Sequence, residues 1–308
     1  MLRMHDNSET PKRRWFASLK DARVRAAYLF IALPSVVIAV FVLAPCIWAI
    51  ALSLYKSDGI NPAIFVGLKN YRRMLDDPVV WISFRNTFYY VAGTVPLSIV
   101  LSFFIAVILN EKWFKGRSIM RTVYFLPVVV AMVAVAFVWQ WLYNPSFGII
   151  NRIMQLLGLP AQVVWLGDPW LAMPCIILVS IWKGLGFFVI IYLAGLQGIP
   201  SMYYEAASLD GASRWQQIRH VTWPLMFPTT CFLTIMGVIG GFQVFEQVYV
   251  MTRGGPVNAT RVVLYYLWEK GFDSLELGYA SAIAVLLFIV MLAITLLQWK
   301  YYTPRMEF

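Results

Sequence analysis

Two groups of residues in this 308-residue chain have side chains whose types and spacing can do work. The first is Glu205-Ala206-Ala207, followed by Asp210-Gly211 and, further on, Pro224. A carboxylate beside two alanines makes a charged spot on a helix surface that a second protein can approach closely. Asp210-Gly211 reads as a helix stop, because glycine accepts the left-handed backbone that a Cβ penalises. This chemistry is recognition, not catalysis. The second group is Lys183 and Glu246, ionisable residues inside long apolar runs. Such a residue costs about 2.5–3.5 kcal/mol at mid-bilayer, so it is a functional candidate by default. Gln243 precedes Glu246 by one helical turn, and Phe242, Phe245 and Trp182 add aromatic faces nearby. Plainer roles stand beside these: Glu246 reaching interfacial water or bonding a partner, Lys183 pairing with a carboxylate or with backbone carbonyls.

Catalytic patterns are missing. The sequence has no GxxxxGK[ST] phosphate loop. Cys46, Cys175 and Cys231 form no CxxC pair or metal spacing, and His5 and His220 are the only histidines. The expectation is a chain that is not an enzyme and binds no metal or cofactor.

The elements that position these residues follow from composition. The chain is 60% apolar and 13% charged, against about 45–50% and about 25% in soluble domains. That excludes a disordered chain, a disulfide scaffold and an ordinary cytosolic enzyme. The net charge of +10 is the cation excess of membrane-protein loops, not a nucleic-acid footprint. Uncharged runs predict an all-α polytopic protein with six membrane-spanning helices, over 26–55, 87–110, 119–144, 170–197, 224–250 and 277–300. An outer loop covers 56–86, and terminal segments cover 1–25 and 301–308. Fifteen of the 25 basic residues fall on one side, nine on the other, and Lys183 lies in a span; this places both termini in the cytoplasm.

The longest inner loop, 198–223, has its own helical grammar. Ser201 is the expected N-cap of a helix over Met202–Leu209. Ser213-Arg214-Trp215-Gln216 fits a capping box that opens a second helix over Arg214–Val221, with Pro224 interrupting it. The bland alternative is a loop lying on the headgroups, with Tyr203, Tyr204 and Trp215 as interfacial aromatics.

Glu205-Ala206-Ala207, three residues, Gly211, nine residues, then Val221-Thr222-Trp223-Pro224 resembles the EAA loop of membrane subunits of binding-protein-dependent ABC importers. Val221 and Trp223 replace that pattern's Ile and Leu. Val66-Gly67-Leu68-Lys69-Asn70-Tyr71 resembles the GL-x-NY segment of the carbohydrate class. Arg121-Thr122 through Leu126-Pro127 is similar to its third-helix start. Thr252-Arg253-Gly254-Gly255-Pro256 and Gly278-Tyr279-Ala280-Ser281-Ala282 are similar to its T-x-GGP turn and GYAAA opening.

The resemblance implies a maltose-type, type I permease fold in a bacterial or archaeal cytoplasmic membrane. It also implies three partners: a homologous second permease subunit, a cytoplasmic ABC ATPase dimer carrying ATP and Mg, and an extracytoplasmic solute-binding protein. Glu205, Ala206, Ala207, Asp210, Gly211 and Pro224 become the ATPase-coupling residues. Trp182, Lys183, Phe242, Gln243, Phe245 and Glu246 become solute-pathway residues, the aromatic rings serving to stack on sugars. A glycerol-3-phosphate permease remains the alternative within the class. An ion-coupled secondary transporter, with broken helices and paired intramembrane carboxylates, is the alternative outside it.

Overall fold

A computed structural model describes residues 22–111, 116–160 and 162–302. Most of the N-terminal segment 1–25, part of the loop after residue 110, and most of the tail 301–308 lie outside these residues. The first span, α1, is Ala22–Leu52, apolar all round, with none of its residues buried within the chain. That is the pattern of a helix surrounded by an apolar medium. A short hairpin, β1 (Tyr55–Lys56) with β2 (Ile64–Phe65), and helix α2 (Lys69–Asp76) form the following loop. Asn70 and Tyr71 clamp the end of α1: the Asn70 amide donates to the carbonyls of Ser53 (2.8 Å) and Tyr55 (2.9 Å), and Tyr71 bonds the Ser53 hydroxyl. This is the physical content of the GL-x-NY segment.

The second span, α3, runs from Pro78 to Asn110 and so starts well before the expected Thr87. Arg85 ended the uncharged run, but the helix begins at the N-cap Asp77, whose carboxylate accepts from the Val79 amide, with Pro78 at the first helical position. The third span is not the single helix expected over 119–144. It is α4 (Arg117–Val129) and α5 (Met132–Leu142), bent by 106°. Val130 and Ala131 between them are extended, a backbone that suits the β-branched Val130. A short helix α6 (Ile149–Leu156) precedes the fourth span, α7 (Ala172–Gln197).

After α7 come α8 (Ser201–Leu209), α9 (Arg214–Gln217), a π-helical turn (Ile218–Thr222) and α10 (Trp223–Leu225). The fifth span is α11 (Phe227–Phe242) and α12 (Glu246–Met251), interrupted at 243–245. Gly240 and Gly241 weaken the helix just before the interruption. Helix α13 (Val263–Trp268) leads to the sixth span, α14 (Leu277–Tyr302). The core forms where α3 and α7 pack together and against α11, with Val91, Val95, Phe103, Ile176 and Tyr192 buried between them.

Candidate functional site

The segment 201–225 is built from local bonds. Helix α8 begins at Ser201 itself, after Pro200, so Ser201 is its first residue and makes no capping bond. The helix ends in a Schellman turn: Gly211 sits at φ 77°, its amide bonds the Ser208 carbonyl (3.1 Å), and the Ala212 amide bonds the Ala207 carbonyl (2.9 Å). The capping box is present, Gln216 accepting from the Ser213 amide and Ser213 accepting from the Gln216 amide. Pro224 does not end the second helix. The π turn ahead of it lets helical backbone continue without the proline N–H.

Two cross-links make α8, the turn and α9 one unit. The buried Gln217 amide donates to the Ser208 hydroxyl (2.9 Å) and the Ala212 carbonyl (3.4 Å), and Tyr204 bonds Thr222 (3.0 Å). The unit is fixed to α3 by aromatic contacts: Trp215 lies parallel to Phe104, and Trp223 meets Phe103 edge-on with ring centroids 5.1 Å apart. An ion pair from Arg214 to Glu111 (3.5 Å) adds a solvent-screened link.

The opposite face is bare. Met202, Glu205, Ala206 and Leu209 share one side of α8 at helical spacing and are all exposed, Leu209 at 89%. Glu205 has no ion-pair partner among the described residues. Asp210 is the exposed C-cap. A rigid mount carrying a carboxylate rimmed by uncovered apolar side chains has the makeup of a protein contact. Leu209, outside the resemblance pattern, belongs to this face.

Within the membrane-spanning region, a cavity of about 270 Å³ opens between α3, α7 and α11. Tyr90, Thr94, Ser98 and Ser180 give it hydroxyls, Phe187 and Phe188 an aromatic wall, and Gly184 and Gly240 open space: a Cβ on either would meet nothing within 4 Å. Above it, Gln247 joins three spans, its amide donating to the Tyr90 hydroxyl (2.9 Å) and the Ser180 hydroxyl (3.2 Å). Gln247 escaped the sequence reading; a buried amide in an apolar run was its only signal.

Several sequence-predicted pathway residues lie elsewhere. Phe242 is buried, 1% exposed, edge-on to Phe88, and offers no face to a ligand. Of Gln243 and Glu246, both exposed, the first lies in the break of the fifth span and the second opens the helix beyond it, so they do not share a helical face. Phe245 stacks on Tyr249 and packs with Tyr265 and Trp268. Trp182 remains partly exposed, edge-on to Trp139. Lys183 donates to the Val128 carbonyl (3.3 Å), the plainer of its two roles. No ion pair joins two spans among the described residues.

Comparison with known proteins agrees with this architecture. Residues 98–308 match the family model described as binding-protein-dependent transport system inner membrane component. The chain is 36% identical to the probable ABC transporter permease protein YurN of Bacillus subtilis, over 91% of this chain and 97% of that one. It is 34% identical to the trehalose/maltose transport system permease protein MalF of Thermococcus litoralis, over 96% and 97%. It is 32% identical to the lactose transport system permease protein LacF of Rhizobium radiobacter, over 94% and 97%. The fold matches a chain in the crystal structure of a bacterial ABC transporter involved in the import of the acidic polysaccharide alginate, with a TM-score of 0.83 at 24% identity, covering 96% of this chain and 100% of that one. A multi-pass helical chain with these relatives over nearly its whole length belongs to the inner membrane component family of binding-protein-dependent ABC transport systems.

Proposed function

We propose that this chain is the permease subunit of an ATP-driven importer of carbohydrate, a non-catalytic subunit that moves its solute by alternating access. The observation that carries the reading is the bare face of α8 on its cross-linked mount. In this reading Glu205 and Leu209 seat against a separate cytoplasmic ATPase, Ala206 and Ala207 allow close approach, and Asp210-Gly211 and Pro224 fix the turn and the return into the membrane. This chain holds no cofactor; ATP and Mg stay on the ATPase. A homologous second permease completes the path, and a solute-binding protein delivers cargo on the opposite side. Both termini lie with α8 in the cytoplasm.

The cavity between α3, α7 and α11 is the solute-contacting surface of this subunit. Hydroxyls from three turns of α3 and from Ser180, facing aromatic rings, suit a polyhydroxylated ring that needs both hydrogen bonds and a flat apolar face. Relatives named for trehalose/maltose, lactose and arabinooligosaccharides support a carbohydrate over a phosphorylated polyol. The third and fifth spans are broken; without paired carboxylates among the described residues these breaks favour ATP-driven rocking over ion coupling.

The test is reconstitution. Proteoliposomes holding this chain, its second permease and the ATPase are expected to take up solute only with ATP and loaded binding protein, and a cysteine at position 209 is expected to cross-link to the ATPase. Uptake by this chain alone, or labelling of position 209 from the binding-protein side, overturns the proposal.

A further inference from the structure

Lys183 is the one charged residue of α7, and it lies near the middle of that span. No carboxylate is within ion-pair distance of it among the described residues. Its ammonium reaches across to α4 and donates to the carbonyl of Val128. Val128 stands in the last turn of α4, one residue before the helix ends and the chain bends by 106° into α5. The last four carbonyls of a helix have no partner within it, and together they carry about half a negative charge. In a membrane no water is at hand to satisfy them. Lys183 therefore meets both needs at once: the broken helix supplies partial negative charge to the lysine, and the lysine supplies a donor to the broken helix.

A second contact on the same two faces makes the arrangement specific. Gly186, one turn along α7 from Lys183, lies so close to α4 that a Cβ there would collide with the carbonyl oxygen of Tyr124, one turn back from Val128. The glycine brings the two backbones together, and the lysine then caps the end of the half-helix. Neither contact belongs to the solute cavity or to the 201–225 segment.

We propose that Lys183 is a positioning residue for transport: it braces the break in the third span by capping half-helix α4, and so fixes the angle between α4 and α5 on which the path depends. The proposal deepens the transport reading above and rests on it for its functional part alone. The brace itself is measurable without any transport.

The experiment uses the complete complex, with spin labels at exposed positions Ile119 on α4 and Val138 on α5 and with Cys46→Ser to remove the exposed thiol. Lys183→Met, which keeps length and loses the donor, is expected to broaden the 119–138 distance distribution, and Lys183→Arg to restore the wild-type width. In uptake, Lys183→Met is expected to lower the maximal rate by about tenfold while the half-saturating concentration of loaded binding protein stays within about twofold. An unchanged distance distribution overturns the brace. A raised half-saturation with an intact maximal rate also overturns it, by making Lys183 a ligand contact. Should the Met variant fail to assemble, Lys183→Gln keeps a donor without charge: an intermediate width supports the brace, and the wild-type width sinks the charge-capping argument. If the wild-type complex does not transport at all, the transport reading fails while the distance measurement still decides on the brace.

Discussion

The segment 201–225 and the membrane cavity are held together by opposite means. Every bond that shapes the segment, from the Gly211 turn to the Tyr204–Thr222 link, closes within 18 residues of chain. The cavity is made by residues far apart in sequence, as the Tyr90–Ser180–Gln247 network shows. The segment is a stiff local device with a bare outer face, mounted on α3 by Trp215 and Trp223. The cavity is a space left between three spans, one of which, the fifth, is broken just beyond it. Under the proposed function the difference separates two tasks: transmitting motion, which needs rigidity, and admitting a solute, which needs room. Substitutions that strike one and spare the other test that separation.

The largest effect is expected from filling the cavity. A Cβ at Gly240, on the cavity wall, meets nothing within 4 Å, so Gly240→Leu is expected to take up cavity volume. Uptake is expected to fall by about a hundredfold while ATP hydrolysis without solute is unchanged, which amounts to ~2.7 kcal/mol on the transport barrier. Measured together in proteoliposomes, equal losses of both activities would show that the cavity and the segment are not separable.

Gly211→Val strikes the other side. The φ of 77° is penalised for a residue with a Cβ and most for a branched one, although no neighbour lies within 4 Å to clash. Uptake is expected to drop about tenfold with normal membrane insertion, the cost of reshaping the turn being ~1–2 kcal/mol. A smaller effect, about threefold, is expected from Gln217→Leu, which removes the links to Ser208 and Ala212, each worth ~1 kcal/mol. Its signature is a raised number of ATP molecules hydrolysed per solute moved. A ratio equal to wild type would mean that α8 and α9 need not move as one.

The same contrast explains what was legible in the sequence. The capping box, the glycine stop and the helix pair were readable because their partners are sequence neighbours. Ser201 was misplaced by one residue because Pro200, already extended, takes the N-cap position. Span positions followed from uncharged runs, yet Arg85 hid the first part of α3, since a single charge in a long helix is tolerated near its end. The break at Val130-Ala131 has no glycine or proline at the bend itself, and its local signals, Pro127 and the valines after it, fit an unbroken apolar span as well. Without that break Lys183 had no visible partner. Gln243 and Glu246 were paired by assuming an uninterrupted helix, and Gly240-Gly241 was the local warning against that assumption. Phe242 carried no signal that it would turn into the core instead of the cavity.

A third region, the corner where α2, α13 and α14 meet, supplies the control. Asp77 accepts from the hydroxyls of Tyr266 (2.6 Å) and Tyr279 (2.7 Å), and Glu276 takes a two-pronged bond from Arg73 (2.8 and 3.0 Å). Burial would raise the Asp77 pKa, but the bonds from the two tyrosines and the Val79 amide outweigh it and hold it below the ordinary carboxylate range. The Arg73 guanidinium likewise lowers the pKa of Glu276 against its partial burial. Both groups bind a proton less readily in the folded chain than in the unfolded one. Their contribution is therefore complete above the unfolded values of about 4 and is lost as pH falls through the lower folded values. Arg73 and Glu276 are partly exposed, so solvent screening keeps their share small, ~1 kcal/mol or less. The midpoint of thermal unfolding in nanodiscs is expected to be insensitive to these groups between about pH 6 and 8 and to fall below about pH 4. Asp77→Asn should lower the midpoint at neutral pH and flatten that acid limb, with uptake at pH 7 within about twofold of wild type because this corner touches neither the α8 face nor the cavity. Parallel pH profiles for variant and wild type would show that the tyrosine bonds do not depend on the charge of Asp77. A change in the ATP-to-solute ratio would join this corner to the transmission path and end its use as a control.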